Sequence, residues 1–167
     1  MTNERDELIW MAGFFDGEGC AMISRMKNKG ARGGFSYAIG VAISQKHPRP
    51  LELFKNRFGG NLYEYQLHGV PYWRWCLGSD AARTMLEQML PYLIVKRDIS
   101  EVVIRYHSRM KEWYASYGAT GYTDEIRLER DTFFMQAREM NARNRANHKT
   151  TKYQGPAQLL KAVNGEE

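Results

Sequence analysis

The sequence contains little cysteine and little proline. Its 167 residues include two cysteines, Cys20 and Cys76, and five prolines. Two cysteines are too few for a disulfide framework or a four-thiolate zinc site, so we expect a reducing compartment. The four histidines are not spaced as metal ligands, and the chain lacks a glycine-rich phosphate loop. A structural zinc ion and a nucleotide cofactor are therefore not predicted.

Long apolar runs are also missing from the sequence. The longest such stretch, Met89 to Val95, contains a proline and is far too short to cross a bilayer. The first residues are polar and rich in acids, unlike a secretory signal or an arginine-rich transit peptide. We therefore expect an intracellular protein that has no signal peptide and no membrane partner.

Basic residues are in excess, and they are unevenly distributed. The chain carries 24 Lys and Arg residues against 19 Asp and Glu residues, a net charge of +5. Residues 1–18 hold five acids and one base, whereas residues 138–152 hold five bases and one acid. A concentrated positive potential is typical of a protein that binds a polyanion, although most charge runs are solvated helix faces.

Hydrophobic periodicity predicts an α+β fold of one domain, residues 1–167. Large apolar residues alternate with small ones between Phe35 and Ser44, which is typical of a strand with one buried face. Two strand pairs, each preceded by a helix, are predicted before residue 80, and further helices follow. We expect a core over about residues 4–110 and a C-terminal helical extension over about residues 122–163. Ser79 or Asp80 is expected to cap the third helix.

The second strand pair is predicted to turn around residues 68–71, His68 to Pro71. In this arrangement Tyr63 and Tyr65 share the apolar face with Trp73, Trp75 and Leu77. The opposite face then carries Glu64, Gln66, Tyr72, Arg74 and Cys76. The first strand has a less certain register, in which Met22 and Met26 face outward or belong to the core.

Residues 11–19 read Met-Ala-Gly-Phe-Phe-Asp-Gly-Glu-Gly and resemble the LAGLIDADG motif of homing endonucleases. Small residues occupy the second and third positions, acids the sixth and eighth, and glycine the ninth. Glu18 stands at the eighth position, where the motif's name has Asp. The resemblance implies an αββαββα fold with a saddle-shaped antiparallel sheet and extra C-terminal helices. A single motif in a chain of this length resembles the members that act as homodimers.

The resemblance also assigns roles within the motif. Because Ala12 and Gly13 lack bulk, two motif helices can approach closely, so we expect a dimer interface at Ala12, Gly13 and Asp16. The metal-binding carboxylate is assigned to Glu18, with help from the backbone carbonyl of Gly17. Two carboxylates that meet across a dimer repel each other unless a cation lies between them, and oxygen-rich sites suit Mg²⁺. Magnesium is therefore the expected cofactor.

Three further residues match catalytic positions of the family by spacing. Gln45 ends the second strand, where the family has a polar residue that orients the attacking water. Lys96 precedes the long helix, where a cation offsets phosphate charge in the transition state. Arg49 follows Gln45 closely and is an alternative source of such a cation. Taken alone, each of these residues would be interpreted as an ordinary surface polar group.

The outward face of the sheet is expected to enter the major groove of DNA, where base edges can be distinguished. A basic turn and the basic end of the chain are expected to contact phosphates, which supply affinity rather than sequence choice. Arg25, of the other parity, is a further candidate for a phosphate contact. The expected DNA-binding residues are Met22, Ser24, Met26, Lys27, Lys29, Arg32, Ser36, Ala38, Gly40, Glu64, Gln66, Tyr72, Arg74, Arg143, Arg145 and Lys149.

The resemblance therefore implies a homodimeric, Mg²⁺-dependent endonuclease that is specific for one double-stranded DNA site. Such an enzyme cleaves a long pseudo-palindromic target with metal-activated water, leaves short 3′ overhangs and promotes intron mobility. It is cytoplasmic or encoded in a chloroplast or mitochondrion. The alternative is an intron-encoded maturase of the same fold, whose partner is the intron RNA. A third interpretation is a DNA-binding regulator without catalysis, which the presence of Glu18 disfavours.

Overall fold

The computed structural model describes residues 3–31, 34–118 and 123–150, and for residues 145–150 it describes the backbone alone. Its elements follow the predicted order: helix, two strands, helix, two strands, then three further helices. The bounds are α1 (Glu4–Glu18), β1 (Gly19–Lys27), β2 (Phe35–Gln45), α2 (Arg49–Phe58), β3 (Asn61–Leu67), β4 (Val70–Gly78), α3 (Ser79–Met89), α4 (Arg97–Tyr117) and α5 (Asp124–Thr150).

The four strands form one antiparallel sheet in the order β1-β2-β4-β3. The alternation in β2 is confirmed, because Tyr37, Ile39, Val41 and Ile43 are all buried. The helices cover this apolar face, and Trp75 of β4 lies at the centre of the core with no exposed surface. Its indole N–H donates a hydrogen bond of 2.8 Å to the carbonyl of Gly59. The α+β prediction is therefore confirmed, and one face of the sheet is left uncovered by this core.

The helices begin within two residues of the positions that the sequence predicts, but α4 continues to Tyr117, whereas the pattern predicted an end near Met110. Asn3 caps α1, with its side chain accepting a hydrogen bond of 3.2 Å from the backbone of Arg5. The cap predicted for α3 is wrong, because Gly78 is the N-cap residue and no side chain caps that helix. Asp80 instead forms an ion pair of 2.5 Å with Lys111 of α4.

The register of the β3–β4 hairpin differs from the prediction by one residue. The turn contains only His68 and Gly69, both with positive φ (52° and 77°), which is the geometry of a type I′ hairpin turn. Leu67 therefore pairs with Val70, which belongs to β4. Because side chains alternate along a strand, a slip of one residue moves every β3 side chain to the other face. The prediction that Glu64 and Gln66 share a face with Arg74 is wrong.

The long helix α5 packs on β1 and α4. Asp131 of α5 accepts a hydrogen bond of 2.9 Å from Arg25 and a shorter one from the hydroxyl of Tyr37. Burial opposes ionisation of Asp131, but these two hydrogen bonds outweigh it and lower the pKa of its carboxyl. Arg25 thus holds α5 against the sheet, rather than lying free for a phosphate as predicted.

The apolar residues of α5 are only partly buried. Ile126 and Ala137 are buried, whereas Leu128 is 69% exposed. The predicted helix over residues 157–163 lies outside the described residues. Within the described ranges, no helix is both long enough and apolar enough to span a membrane.

Candidate active site

The C-terminal end of α1 places an exposed carboxylate beside the sheet. The helix ends at Glu18, and the chain enters β1 at Gly19. A Cβ atom at Gly19 would collide with the ring of Phe15, which is fully buried. The glycine at the ninth position of the motif is therefore required for this close turn. As a result, the side chain of Glu18 projects from the end of α1 and is exposed.

A cavity of about 500 Å³ lies beside Glu18. It lies between the end of α1, the start of β1, the ends of β2 and β4, and α5. Its walls carry one acid and three bases, together with polar and apolar groups. The lining residues are Gly17, Glu18, Gly19, Cys20, Met22, Ile23, Ala42, Ser44, Arg74, Lys96, Phe134, Ala137, Arg138, Asn141 and Asn144.

Lys96 is held in the cavity wall by α1. Its ammonium donates a short hydrogen bond to the backbone carbonyl of Asp16, one of the last carbonyls of the helix. Lys96 is only 6% exposed, and burial lowers the pKa of its ammonium. The negative charges of the nearby Asp16 and Glu18 carboxylates oppose that shift. The lysine and the acid of the motif therefore act on each other electrostatically within one cavity.

The structure brings together three of the predicted catalytic and metal-binding residues, Gly17, Glu18 and Lys96. Gln45 and Arg49 are not among the residues that line this cavity. Gln45 lies opposite Trp73, whereas its neighbour Ser44 lies opposite Arg74 and faces the cavity. Arg49 is the first residue of α2 and is exposed. The catalytic roles of Gln45 and Arg49 remain predictions.

The uncovered face of the sheet carries eight of the sixteen residues that we expected to contact DNA. Register pairs across β1 and β2 place Met22 opposite Gly40, Ser24 opposite Ala38 and Met26 opposite Ser36. Met26 is 55% exposed, which settles the open register of the first strand in favour of the outward orientation.

Two aromatic residues that the sequence analysis assigned to the core lie on this outward face. Tyr63 pairs with Arg74, and Tyr65 pairs with Tyr72 at a ring distance of 6.0 Å. The ammonium of Lys46 lies 5.8 Å from the ring of Tyr72. The outward position of Tyr63 and Tyr65 could have been predicted from the His68-Gly69 pair, because a glycine at the second position favours a two-residue turn.

The basic residues around this face lie in different surroundings. Lys27 and Lys29 are exposed at the β1–β2 turn. Arg143 is exposed but pairs with Glu139 on its own helix at 2.5 Å. Arg32 lies outside the described residues, as do the side chains of Arg145 and Lys149. Arg138 lines the cavity, and we had counted it only as part of the basic end of the chain.

A family model described as LAGLIDADG endonuclease matches this chain over residues 11–109. The chain belongs to this family. The matched range contains the second half of α1, the whole sheet and most of α4, and therefore both Glu18 and Lys96. A search of curated protein sequences found no match.

Solved structures of homing endonucleases resemble this LAGLIDADG chain. The structure of I-CvuI with a DNA target superposes with a TM-score of 0.69 at 17% identity, covering 82% of this chain and 83% of I-CvuI. The archaeal intron-encoded I-Vdi141I, in complex with DNA, gives a TM-score of 0.68 at 15% identity, covering 83% and 86%. I-SmaMI bound to cleaved DNA gives a TM-score of 0.55 at 20% identity, but the match covers only 48% of the I-SmaMI chain. At these identities the likeness establishes the fold.

The donor set of this LAGLIDADG protein fits a hard divalent cation that has further ligands from outside the chain. Glu18 offers an exposed carboxylate, and the exposed Gly17 precedes it. Among the described residues, no three His, Cys, Asp or Glu side chains cluster as a ready metal site. Mg²⁺ commonly takes one or two carboxylates and completes its shell with water and phosphate oxygens. The site therefore suits a cation shared with a nucleic-acid phosphate.

The three motif residues predicted at a dimer interface differ in their surroundings. Ala12 is fully buried within its own chain, so it presents no surface to a partner. Asp16 is only 8% exposed, and its carboxylate accepts hydrogen bonds within the chain. Gly13 is exposed, and a Cβ added there would meet no atom of the described residues within 4 Å outside its own helix backbone and chain neighbours. Of the three, Gly13 is the residue available to a second copy.

Proposed function

We propose that this protein is a homodimeric, Mg²⁺-dependent endonuclease that cleaves one specific site in double-stranded DNA. The observation that carries the proposal is the juxtaposition of Glu18 and Lys96 in a cavity that opens beside the uncovered face of the sheet. DNA on that face would bring a phosphate to an acid that can bind metal and to a partly buried cation. Membership of the LAGLIDADG family and the DNA-bound relatives of the same fold support this proposal.

The four charged side chains of the cavity each have a definable task in phosphodiester hydrolysis. Glu18, with the carbonyl of Gly17, would hold the divalent ion. Such an ion activates water and stabilises the leaving oxygen. Lys96 would offset the charge that develops on the phosphate. Arg74 and Arg138 line the same cavity and would orient the DNA strand through its phosphates.

The second copy of the chain would dock on an exposed apolar surface next to this cavity. Ile9 and Trp10 of α1 are each 44% exposed, and Gly13 lies one turn further along the helix. The adjacent residues Ile94 and Val95 lie beside the end of α1, because the backbone N–H of Ile94 donates a hydrogen bond to Asp16. The side chain of Ile94 is 85% exposed. A two-fold dimer through this surface would pair two Glu18 cavities, one for each DNA strand. Paired cavities imply a long pseudo-palindromic target and staggered cuts with short 3′ overhangs.

The test is cleavage of the DNA junction that flanks the genetic element carrying this gene, with the element removed. In Mg²⁺ the purified protein is expected to cut both strands at one position with a short 3′ stagger, as mapped on end-labelled duplexes. Such a cut would also fit a role in intron mobility. Tight binding without cutting would overturn the endonuclease proposal in favour of a regulator. Binding to the intron RNA without cutting would favour a maturase.

The corrected hairpin register gives a second, residue-level test of the DNA face. Tyr63→Ala is expected to weaken binding to the target duplex by about 1 kcal/mol or more, roughly fivefold, because Tyr63 faces outward beside Arg74. Glu64→Ala, one residue away on the opposite face, is expected to leave binding unchanged. Fluorescence anisotropy with the target and a scrambled duplex measures both. A larger loss for Glu64→Ala would contradict the assignment of this face to DNA.

A further inference from the structure

The motif contains a second acid, Asp16, whose position differs sharply from that of Glu18. Its carboxylate is almost buried, and both oxygens are used within the chain. Oδ2 accepts a hydrogen bond of 2.7 Å from the backbone N–H of Ile94, and Oδ1 accepts one of 2.8 Å from that of Lys96. The contact joins residues 80 positions apart in the sequence. Asp16 therefore connects the end of α1 to the segment that precedes α4.

That segment has few other means of holding its shape. Residues 93–96 belong to neither a helix nor a strand, and Ile94 and Val95 expose their side chains. Leu93 is buried and anchors one end, whereas Lys96 stands at the N-terminal boundary of α4 without making a side-chain cap. Unpaired N–H groups at a buried position are costly, and a carboxylate can accept from two of them at once. The backbone carbonyl of Lys96 accepts a hydrogen bond of 3.0 Å from Ser100 of α4, and its N–H is held by Asp16.

The side chain of Lys96 also contacts Asp16. Its ammonium donates to the backbone carbonyl of Asp16, so backbone and side chain of the lysine both bind one residue of α1. Two residues further along, Glu18 enters the same cavity. The position of the ammonium relative to the metal-binding carboxylate is thus defined through Asp16.

We propose that Asp16 is a positioning residue that holds Lys96 at the working distance from Glu18. The two acids of the motif then have separate tasks, one toward the metal and the other toward the lysine. This inference rests on the proposed endonuclease function, and it assigns to Asp16 a task inside the chain in place of the dimer contact that the sequence suggested.

The sharpest probe is Asp16→Asn, which keeps the size of the side chain. An amide has one acceptor oxygen and places an NH₂ group against one of the two backbone donors, so one hydrogen bond is lost and two donors face each other. We expect the single-turnover cleavage rate to fall about 10- to 100-fold, the range typical of residues that orient a catalytic group, at unchanged affinity for target DNA. Backbone amides of Ile94 and Lys96 are expected to exchange with solvent faster than in the native protein.

A double-mutant cycle separates positioning from a merely structural role. If Asp16 acts through Lys96, Asp16→Asn in a Lys96→Met background is expected to cause little further loss of rate. The proposal would be overturned if the rate losses of the two single variants multiply in the double variant. It would also be overturned if Asp16→Asn cleaves at the native rate, or if its loss of DNA affinity equals its loss of rate. Asp80→Asn, which removes an acid paired with Lys111 outside the cavity, is the matched control and is expected to keep the native rate.

Two further measurements apply if Asp16→Asn does not fold or if the native protein does not cleave DNA. If Asp16→Asn does not fold, Ile94→Pro removes one of the two donors without altering the acid, and the extended backbone of Leu93 (ψ 137°) tolerates a following proline. A native cleavage rate for that variant would overturn the proposal. If the native protein cleaves no DNA, the proposed function fails. The amide exchange at Ile94 and Lys96 in Asp16→Asn then still reports whether Asp16 holds the segment.

Discussion

Replacing Glu18 by Gln is expected to abolish DNA cleavage while leaving DNA binding intact. Glutamine has nearly the same shape but no negative charge, so it is a poor ligand for a divalent cation that requires hard oxygen donors. Loss of partners that only orient metal ligands already costs about 10- to 100-fold, so loss of the ligand is expected to cost more than about 100-fold. The side chain is exposed at the end of α1, and the variant should fold normally.

The measurement is a single-turnover time course on the target duplex over a series of Mg²⁺ concentrations, with binding followed in Ca²⁺. Glu87→Gln makes the same chemical change on α3, where the acid pairs with Arg83 outside the cavity, and it is expected to cleave at the native rate. A Glu18→Gln protein that cuts within a few fold of the native rate would place the metal elsewhere. Loss of binding together with loss of cleavage would show that Glu18 is required for the DNA complex itself.

Element types and most boundaries were predictable because local patterns decide them. In β2 the alternation of large and small residues agrees with the burial of one face, so periodicity alone identified both the strand and its orientation. In α4 the helical spacing of Ile99, Val102, Val103 and Tyr106 agrees in the same way with four buried side chains. The motif indicated Glu18 as a candidate metal ligand, because a helix end, two acids and a final glycine occur together.

The β3–β4 register was not predictable from apolar alternation, because both faces of β3 carry large side chains. Tyr63, Tyr65 and Leu67 form an apolar series of one parity, yet two of the three are more than 40% exposed. The turn decides the register. If Tyr63 and Tyr65 shared a face with Trp73, the turn would need an odd number of residues, whereas the observed two-residue turn pairs odd positions of β3 with even positions of β4. The set of outward-facing residues therefore differs from the prediction on β3 and agrees with it on β1, β2 and β4.

The contact between Asp16 and the segment before α4 also could not be predicted from the sequence. Nothing in the composition of residues 93–96 indicates that two of their N–H groups need a carboxylate 78 and 80 residues earlier. The same holds for α5, whose helical pattern did not show that Arg138 reaches the cavity. Long-range pairing of this kind depends on how the elements pack together, which local periodicity does not encode.

Gly13→Gln is expected to convert the proposed dimer to monomers and to remove cleavage with it. Glycine inside a helix costs about 1 kcal/mol relative to alanine, so an exposed glycine there calls for a reason outside its own chain. Among the described residues, and apart from the chain neighbours and backbone of its own helix, no atom lies within 4 Å of a Cβ at this position. Close approach of a second motif helix supplies such a reason, because a side chain at Gly13 would then separate the two backbones.

The expected magnitudes follow from the symmetry of the dimer. An overpacked position costs about 1–3 kcal/mol, and a two-fold interface contains it twice, so dimerisation should weaken roughly 30-fold or more. Sedimentation over a range of protein concentrations measures this, alongside cleavage of the target. Gly13→Ala is expected to give a smaller effect, and Asn56→Gln, on the exposed side of α2, none.

Stability distinguishes this outcome from simple misfolding. Because glutamine and alanine favour helix more than glycine does, the monomer of either variant should melt no lower than the native monomer. Loss of the dimer at unchanged or higher monomer stability would place the two-fold contact at Gly13. An intact dimer in Gly13→Gln would move the contact to another surface, and the paired Glu18 cavities that account for a double-strand cut would need a different arrangement.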